Sequence, residues 1–238
     1  MKIHFLSFAS YSYRNSLCRI KKQAIESGFF DNINCIRAID LPFIYRISNL
    51  LILNRHKRGF GYWMWKSFIT KMELEKMDNG DILVYADAGC VINKNGYKRF
   101  EEYIEMLSNS PISNLSFQSP HLEKEYVKGD VFKYFNLEKN DLLKNSGQLI
   151  AGVYLIRKDL SSINLIDTWY KICHSNQDLI TDKKSKYPND FDFIDHRHDQ
   201  SIFSILRKIY GSIILPNETY HTNWDDNLHI PIHARRLN

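Results

Sequence analysis

A chain of 238 residues, 44% hydrophobic and 25% charged, with no repeat or low-complexity tract, is long enough to bury a core unaided and is not a disordered or fibrous protein. Its four cysteines, Cys18, Cys35, Cys90 and Cys173, are too far apart for a zinc pair or a disulfide framework and read as buried, reduced thiols; no apolar run approaches the roughly 18 residues of a membrane span, and the opening run is too short for a signal peptide, so the expected location is the cytosol. The formal charge of +5 is modest, but Lys21-Lys22, Arg55 to Arg58 and Arg235-Arg236 are local concentrations that either meet phosphates or an anionic membrane surface or are simply solvated faces.

Lys2 to Phe8 reads as an opening strand, Ser10 to Ser12 as a turn, and Asn15 to Glu26 as a helix that stops at Ser27-Gly28. Asn34 to Ile39 is a second strand, and a β-α-β start favours a parallel sheet. Leu41 to Leu53 is expected to be helical after Pro42, and Trp65 to Met77 is a helix leading into the strand Ile82 to Tyr85. A helix over Tyr97 to Leu107, strands around Leu115 to Gln118 and over Gln148 to Arg157, and a helix over Leu160 to Cys173 follow. Asp182 to Asp195 reads as a charged loop and Asp199 to Tyr210 as a helix capped by Asp199 or His198. The segment after Ile213 offers one short strand and then irregular structure. The alternation makes the fold class α/β, one domain over 1–238 with a nucleotide-binding half (1–90) and an acceptor half with a closing tail (91–238).

Three constellations carry possible chemistry. In Gly80-Asp81-Ile82-Leu83-Val84-Tyr85-Ala86-Asp87-Ala88-Gly89-Cys90 an apolar run ends in a carboxylate and a small-residue turn, placing Asp87 at a strand's carboxyl end, where α/β sheets bind ligands. There Asp87 either holds a divalent cation or caps its own turn. Arg55-His56-Lys57-Arg58-Gly59-Phe60-Gly61-Tyr62-Trp63-Met64-Trp65-Lys66 combines basic heads, glycines and aromatics before a helix, either to wrap an anionic or sugar ligand or to feed the core. Asp192 to Gln200 gathers three carboxylates, two imidazoles and an amide, suited to base or metal chemistry or to a helix cap. In the tail, His229 and His233 flank Pro231, which argues against a helical zinc pair, although one histidine can complete a metal site begun by Asp87.

Four stretches together resemble nucleotide-sugar glycosyltransferases of the GT-A fold, in particular small bacterial enzymes of capsule and O-antigen assembly. They are Arg58 to Lys66, Asp78 to Cys90, Gly147-Gln148 with Ala151-Gly152, and His196 to Ser201, in the family's order. The resemblance implies a Rossmann-like mixed sheet flanked by helices, a uridine diphosphate sugar donor, and Mn²⁺ or Mg²⁺ held by an Asp-x-Asp motif. Asp87 matches the motif's first aspartate; Gly89 stands at the second, which removes one carboxylate, so the implied metal ligands are Asp87 and a tail histidine, His233. Carried over by position, Asp199 and Gln200 lie beside the donor sugar; an inverting enzyme also needs a carboxylate base at the acceptor hydroxyl, for which Asp192 or Asp195 is the candidate, whereas a retaining one does not. Arg14, Lys66, Tyr85, Ala88, Gly89, Gln148, Gly152 and Arg235 bind the donor, with Lys66 and Arg235 neutralising the leaving diphosphate. The implied acceptor is a lipid-linked oligosaccharide at the inner face of a membrane, touched peripherally, with no nucleic-acid partner. The competing reading is a metal-dependent phosphoesterase or nuclease built on Asp87 and the His196 to Asp199 cluster.

Overall fold

The computed structural model describes residues 1–55 and 58–237, the side chains of Asn54 and Arg55 excepted. Apolar stretches of the first half form β1 (Ile3–Ala9), β2 (Asn32–Arg37) and β3 (Ile82–Ala86), all parallel. Between the first two runs α1 (Arg14–Ser27), which ends at Gly28 with φ 70, a left-handed conformation that costs glycine little because it has no Cβ. The next connection holds α2 (Phe43–Ser48), α3 (Leu50–Arg55), the single turn α4 (Gly59–Tyr62) and α5 (Trp65–Lys76). The expected continuous helix over 41–53 is therefore two. Its break falls at Asn49, whose side-chain amide donates to the Tyr45 carbonyl (2.9 Å) and competes with the backbone.

The second half adds β4 (Val91–Ile92), α6 (Tyr97–Ser108), β5 (Asn114–Leu122), three short helices α7 (Glu123–Tyr126), α8 (Gly129–Tyr134) and α9 (Asp141–Lys144), then β6 (Gly147–Arg157) and α10 (Leu160–Ser175). After a long loop come α11 (Asp199–Tyr210), β7 (Ile213–Pro216) and β8 (Ile232–His233). The main sheet runs β2-β1-β3-β6-β5-β7, with β6 antiparallel to both neighbours and β5 parallel to β7. It is thus mixed rather than the parallel sheet the opening β-α-β unit favours. Apolar content in a buried strand does not encode its direction.

Alternate residues of the central strands feed two cores. Leu6, Phe8, Leu83, Tyr85 and Tyr154 pack under α5, α10 and α11, while Phe5, Val84, Val153 and Leu155 pack under α1 and α6. Trp169 of α10 and Phe203 of α11 stack at 3.8 Å, both fully buried, each worth roughly 1.5–3 kcal/mol of apolar burial. A two-stranded ribbon of β4 and β8 pins the tail across the turn that follows β3. All four cysteines are free; Cys90 and Cys173 are buried as expected, but Cys18 is exposed on α1 and Cys35 half-buried. No helix among the described residues is long and apolar enough to cross a membrane.

Candidate functional site

At the carboxyl end of β3 the chain turns sharply, with the Asp87 amide on the Gly152 carbonyl (2.9 Å) and the Cys90 amide on the Asp87 carbonyl (2.8 Å). The Asp87 side chain is 42% exposed, and its Oδ1 accepts from the Tyr85 hydroxyl (2.7 Å) and from Lys66 Nζ (2.9 Å). Its Oδ2 lies beside Gly152, where a Cβ would stand 3.1 Å away. Glycine at that point of β6 therefore keeps the oxygen free to move and to meet a ligand.

Lys66, the second residue of α5, has its ammonium buried and also donates to the Ala151 carbonyl (3.1 Å). Burial works against its charge, but Asp87 and then Asp199 overcome that and hold the ammonium above its ordinary range. Asp199, the first residue of α11, is 2% exposed, and its Oδ2 has no hydrogen-bond partner. Burial pushes its carboxyl up to about 7; Lys66 pulls it down and Asp87 pushes it further up. Two carboxylates thus share one buried ammonium, and one carboxylate oxygen is left unsatisfied. A buried unpartnered acceptor is costly and marks a place where a ligand donor is missing.

Gln200 is held in one orientation. Its Oε1 accepts from the Ala151 amide (3.0 Å) and its Nε2 donates to Gln148 Oε1 (2.6 Å). Gln148 in turn donates to Glu123 Oε2 (3.2 Å), a fully buried carboxylate paired with Lys208 (2.6 Å). Gln148 is itself fully buried. It supports Gln200 rather than facing a donor, and Tyr85, buried and stacked on Tyr154 (4.8 Å), likewise supports Asp87.

Ahead of both Lys66 and Asp199 the backbone is strained. Gly59, Phe60, Gly61, Tyr62 and Trp63 take φ of 58, 52, 91, 54 and 58, a full left-handed turn, and His198 has φ 55 with ψ −121. Left-handed backbone costs non-glycine residues about 1–2 kcal/mol each. The surroundings enforce it: the rings of Tyr62 and Trp63 lie 5.0 and 5.5 Å from the His198 ring, and Trp65 Nε1 donates to the Gly59 carbonyl (2.9 Å). Arg58 bonds Asp195 (2.7 Å) and Asp182 (3.1 Å) across the same contact. Strain that is over-determined in this way concentrates at functional sites. The sequence reading missed this clamp and the Glu123 support. The paired glycines were the only signal for the first, and nothing distinguished Glu123 from a solvated acid.

Other expected site residues fall elsewhere. Asp195 is latched to Arg58; burial pushes its carboxyl up, but the hydrogen bond and charge of Arg58 together with the His196 amide hold it below its usual range, the wrong direction for a general base. His196 is buried with Nε2 on the Leu179 carbonyl (2.8 Å) and Nδ1 taken by the Lys128 amide (3.4 Å), and His198 Nδ1 bonds the Ile180 carbonyl (2.7 Å). Both imidazoles tie the 179–182 segment to α11, so the hydrolytic centre of the competing reading is not assembled. Trp65 is core, stacked on Phe8 at 3.8 Å. Arg14 stands exposed at the start of α1, just beyond β1, and exposed Arg235 lies over Trp224 (5.4 Å). Of the basic run expected to wrap a ligand, the Arg55 side chain, His56 and Lys57 lie outside the described residues.

The donor set does not fit a divalent cation held by protein alone. Among the described residues no three His, Cys, Asp or Glu side chains gather around a common point. The Lys66 ammonium already sits on Asp87 Oδ1, and His233 is buried, its Nε2 on the Ile230 carbonyl (2.8 Å) and its ring 5.3 Å from Trp224. The second position of the motif is filled by chain: the Leu237 amide donates to the Gly89 carbonyl (2.9 Å), and a Cβ on Gly89 would stand 3.1 Å from Arg236 Cα. Arg19 fastens this closure through the carbonyls of Ala88 (2.9 Å), Cys90 (3.2 Å) and Leu237 (3.3 Å). Gly89→Asp is therefore expected to displace the 234–237 segment and cost about 1–3 kcal/mol without creating a metal site. Thermal melts with and without Mn²⁺ check this, a lowered midpoint that Mn²⁺ does not restore being the expected result.

No family model matches the chain, and no curated protein matches its sequence. Solved structures do. A glycosyltransferase involved in glycosylation of the major capsid of PBCV-1 aligns with a TM-score of 0.56 at 14% identity, over 98% of this chain and 92% of that one. The apo form of the glycosyltransferase GlyE of Streptococcus pneumoniae TIGR4 aligns at 0.51 and 13% identity, over 98% of this chain and 54% of that one. The WbbM bifunctional glycosyltransferase aligns at 0.51 and 14% identity, over 93% of this chain and 40% of that one. At these identities the likeness is one of fold: this chain has the GT-A fold, a mixed sheet flanked by helices.

Proposed function

We propose that this protein is a glycosyltransferase that moves a hexose, with galactose a candidate, from a uridine diphosphate sugar to a saccharide acceptor, a lipid-linked oligosaccharide of bacterial O-antigen or capsule synthesis. The observation that carries the reading is the Asp87, Lys66 and Asp199 group at the carboxyl end of β3, with an open oxygen on each carboxylate, in a fold shared with solved glycosyltransferases. Transfer breaks the bond between the anomeric carbon and the diphosphate oxygen and forms one to an acceptor oxygen, whose proton passes to the departing diphosphate or to water. Charge builds on the departing diphosphate, and fixed cations aimed at it stabilise the transition state. In this reading the Lys66 ammonium supplies that charge from below, Arg14 and Arg235 from the rim. Asp87 Oδ2 and Asp199 Oδ2 accept hydrogen bonds from donor hydroxyls, and Gln200, fixed through Gln148 and Glu123, borders the sugar.

Calorimetric titration with uridine diphosphate, with and without Mn²⁺, tests the reading, followed by a panel of sugar nucleotides. Binding of the nucleotide is expected, and no heat under either condition would overturn the proposal, as would hydrolysis of a phosphodiester without sugar transfer. Asp87→Asn is expected to abolish measurable transfer. Its unfolding midpoint should stay near that of the parent, because the side chain is half in solvent and Asp199 remains as counter-charge to Lys66.

A further inference from the structure

Where the Asp-x-Asp pattern would place its second carboxylate, the fold places a cationic residue. Arg236 lays its backbone on Gly89, so that a Cβ there would stand 3.1 Å from Arg236 Cα, and it does so in a left-handed conformation with φ 55. A residue other than glycine keeps such backbone only where its surroundings enforce it. Here the Leu237 amide on the Gly89 carbonyl (2.9 Å) and Arg19, bonded to the carbonyls of Ala88 (2.9 Å) and Leu237 (3.3 Å), do so. The Arg236 side chain is left exposed at the turn that follows Asp87.

A second guanidinium stands at the other end of the site. Arg197 lies two residues before Asp199, with its amide shared between the Tyr126 carbonyl and Ser201 Oγ, both at 3.2 Å, and its guanidinium 3.7 Å from the centre of the Tyr126 ring. Burial works against its charge, Tyr126 favours it, and the charge of Arg236 opposes it again, leaving the guanidinium below its ordinary range. Among the described residues no carboxylate forms an ion pair with Arg197 or Arg236. Asp195, the carboxylate that acts on Arg197, is bonded to Arg58 (2.7 Å). Two like charges held near one another without a counter-ion repel, and an anion between them turns that repulsion into binding. With five N–H donors each, the two side chains offer more than a single carboxylate can accept, which points to a polyanion.

We propose that Arg197 and Arg236 form a guanidinium pair that binds a diphosphate, in the transferase reading that of the donor, in the part a divalent cation would take if Gly89 were a carboxylate. As the bond from the anomeric carbon breaks, its electron pair stays on the diphosphate oxygen, and the fixed forks of N–H donors take up that charge while the acceptor oxygen forms the new bond. The identity of the anion rests on the transferase reading; the pair itself does not.

The experiment is calorimetric titration of the full chain with inorganic diphosphate and with uridine diphosphate, both in the presence of EDTA. The parent is expected to bind both, Arg236→Gln to weaken each about fivefold to tenfold, and Arg197→Gln with Arg236→Gln to weaken each at least about thirtyfold. Arg236 is exposed, so its variant keeps the parent's melting curve, and Arg197→Lys is expected to recover part of the affinity that Arg197→Gln loses. The proposal is overturned if the parent binds no inorganic diphosphate in EDTA, or if Arg236→Gln binds it as the parent does. A double variant that loses inorganic diphosphate but keeps uridine diphosphate also overturns it, because the pair then serves a phosphate other than the donor's. Binding of inorganic diphosphate through both arginines by a protein that takes no uridine diphosphate supports the pair and sinks the transferase reading instead.

Discussion

Lys66→Met is expected to lower sugar transfer about 10²–10³-fold while the protein stays folded. The ammonium is the one cation buried among Asp87, Asp199 and the Ala151 carbonyl, and without it two carboxylates face the site with nothing to balance them. Stability should fall by about 1–3 kcal/mol at neutral pH: the abandoned Asp87 can turn to water, but Asp199 stays buried and has lost its counter-charge. Lys66→Arg is not expected to rescue, because the pocket is closed and a planar guanidinium is wider than the ammonium. Turnover of a sugar nucleotide, measured beside a urea unfolding curve, checks both halves. Transfer within threefold of the parent would remove Lys66 from the mechanism.

Asp199→Asn should do the opposite to stability and the same to activity. The folded chain holds the Asp199 proton up to about pH 7, whereas the unfolded chain releases it near the ordinary carboxylate value of about 3.9. Between those values the folded state binds more protons, so stability falls as pH rises, by about 4 kcal/mol in the limit of full ionisation. Asparagine carries no charge to bury. The variant is expected to be about 2–4 kcal/mol more stable than the parent at pH 8.5, the lower figure reflecting the counter-charge Lys66 loses, and the gain should shrink toward nothing near pH 4. Transfer is expected to fall about 100-fold, since a neutral amide is a weaker acceptor than a carboxylate for the donor hydroxyls and can turn its NH₂ toward them. Urea unfolding at several pH values decides it: a variant less stable than the parent at pH 8.5 contradicts a carboxyl ionised against burial. Stability given up at one buried carboxyl is what a site kept for ligand looks like.

Gly89 connects the sequence to this arrangement. The chain's pattern placed Asp87 at a strand end, and the flanking small residues announced a tight turn, so the position of the candidate site was legible from residues alone. That the missing carboxylate corresponds to a stretch of backbone was not, because the contact between Gly89 and Arg236 joins residues far apart in the chain. His233 belongs to the same kind of fact: it looked available as a metal ligand only while its hydrogen bond to the Ile230 carbonyl and its packing on Trp224 were unseen. His196 and His198 likewise resembled a reactive cluster in one dimension and are internal struts in three.

By itself the sequence determined the α/β class, nearly all helices and strands longer than six residues, the strand-end position of Asp87 and the helix-start position of Asp199. These depend on local periodicity and on caps and turns that span a few residues. Only the tertiary structure decided that β6 runs antiparallel and brings Gly152 to Asp87, that Lys66 is buried between two carboxylates, and that Gln148 serves Gln200. Each of these depends on which long-range neighbour reaches a side chain first. Burial and unpaired charge, the quantities that set the site's chemistry, exist only after the chain has closed on itself.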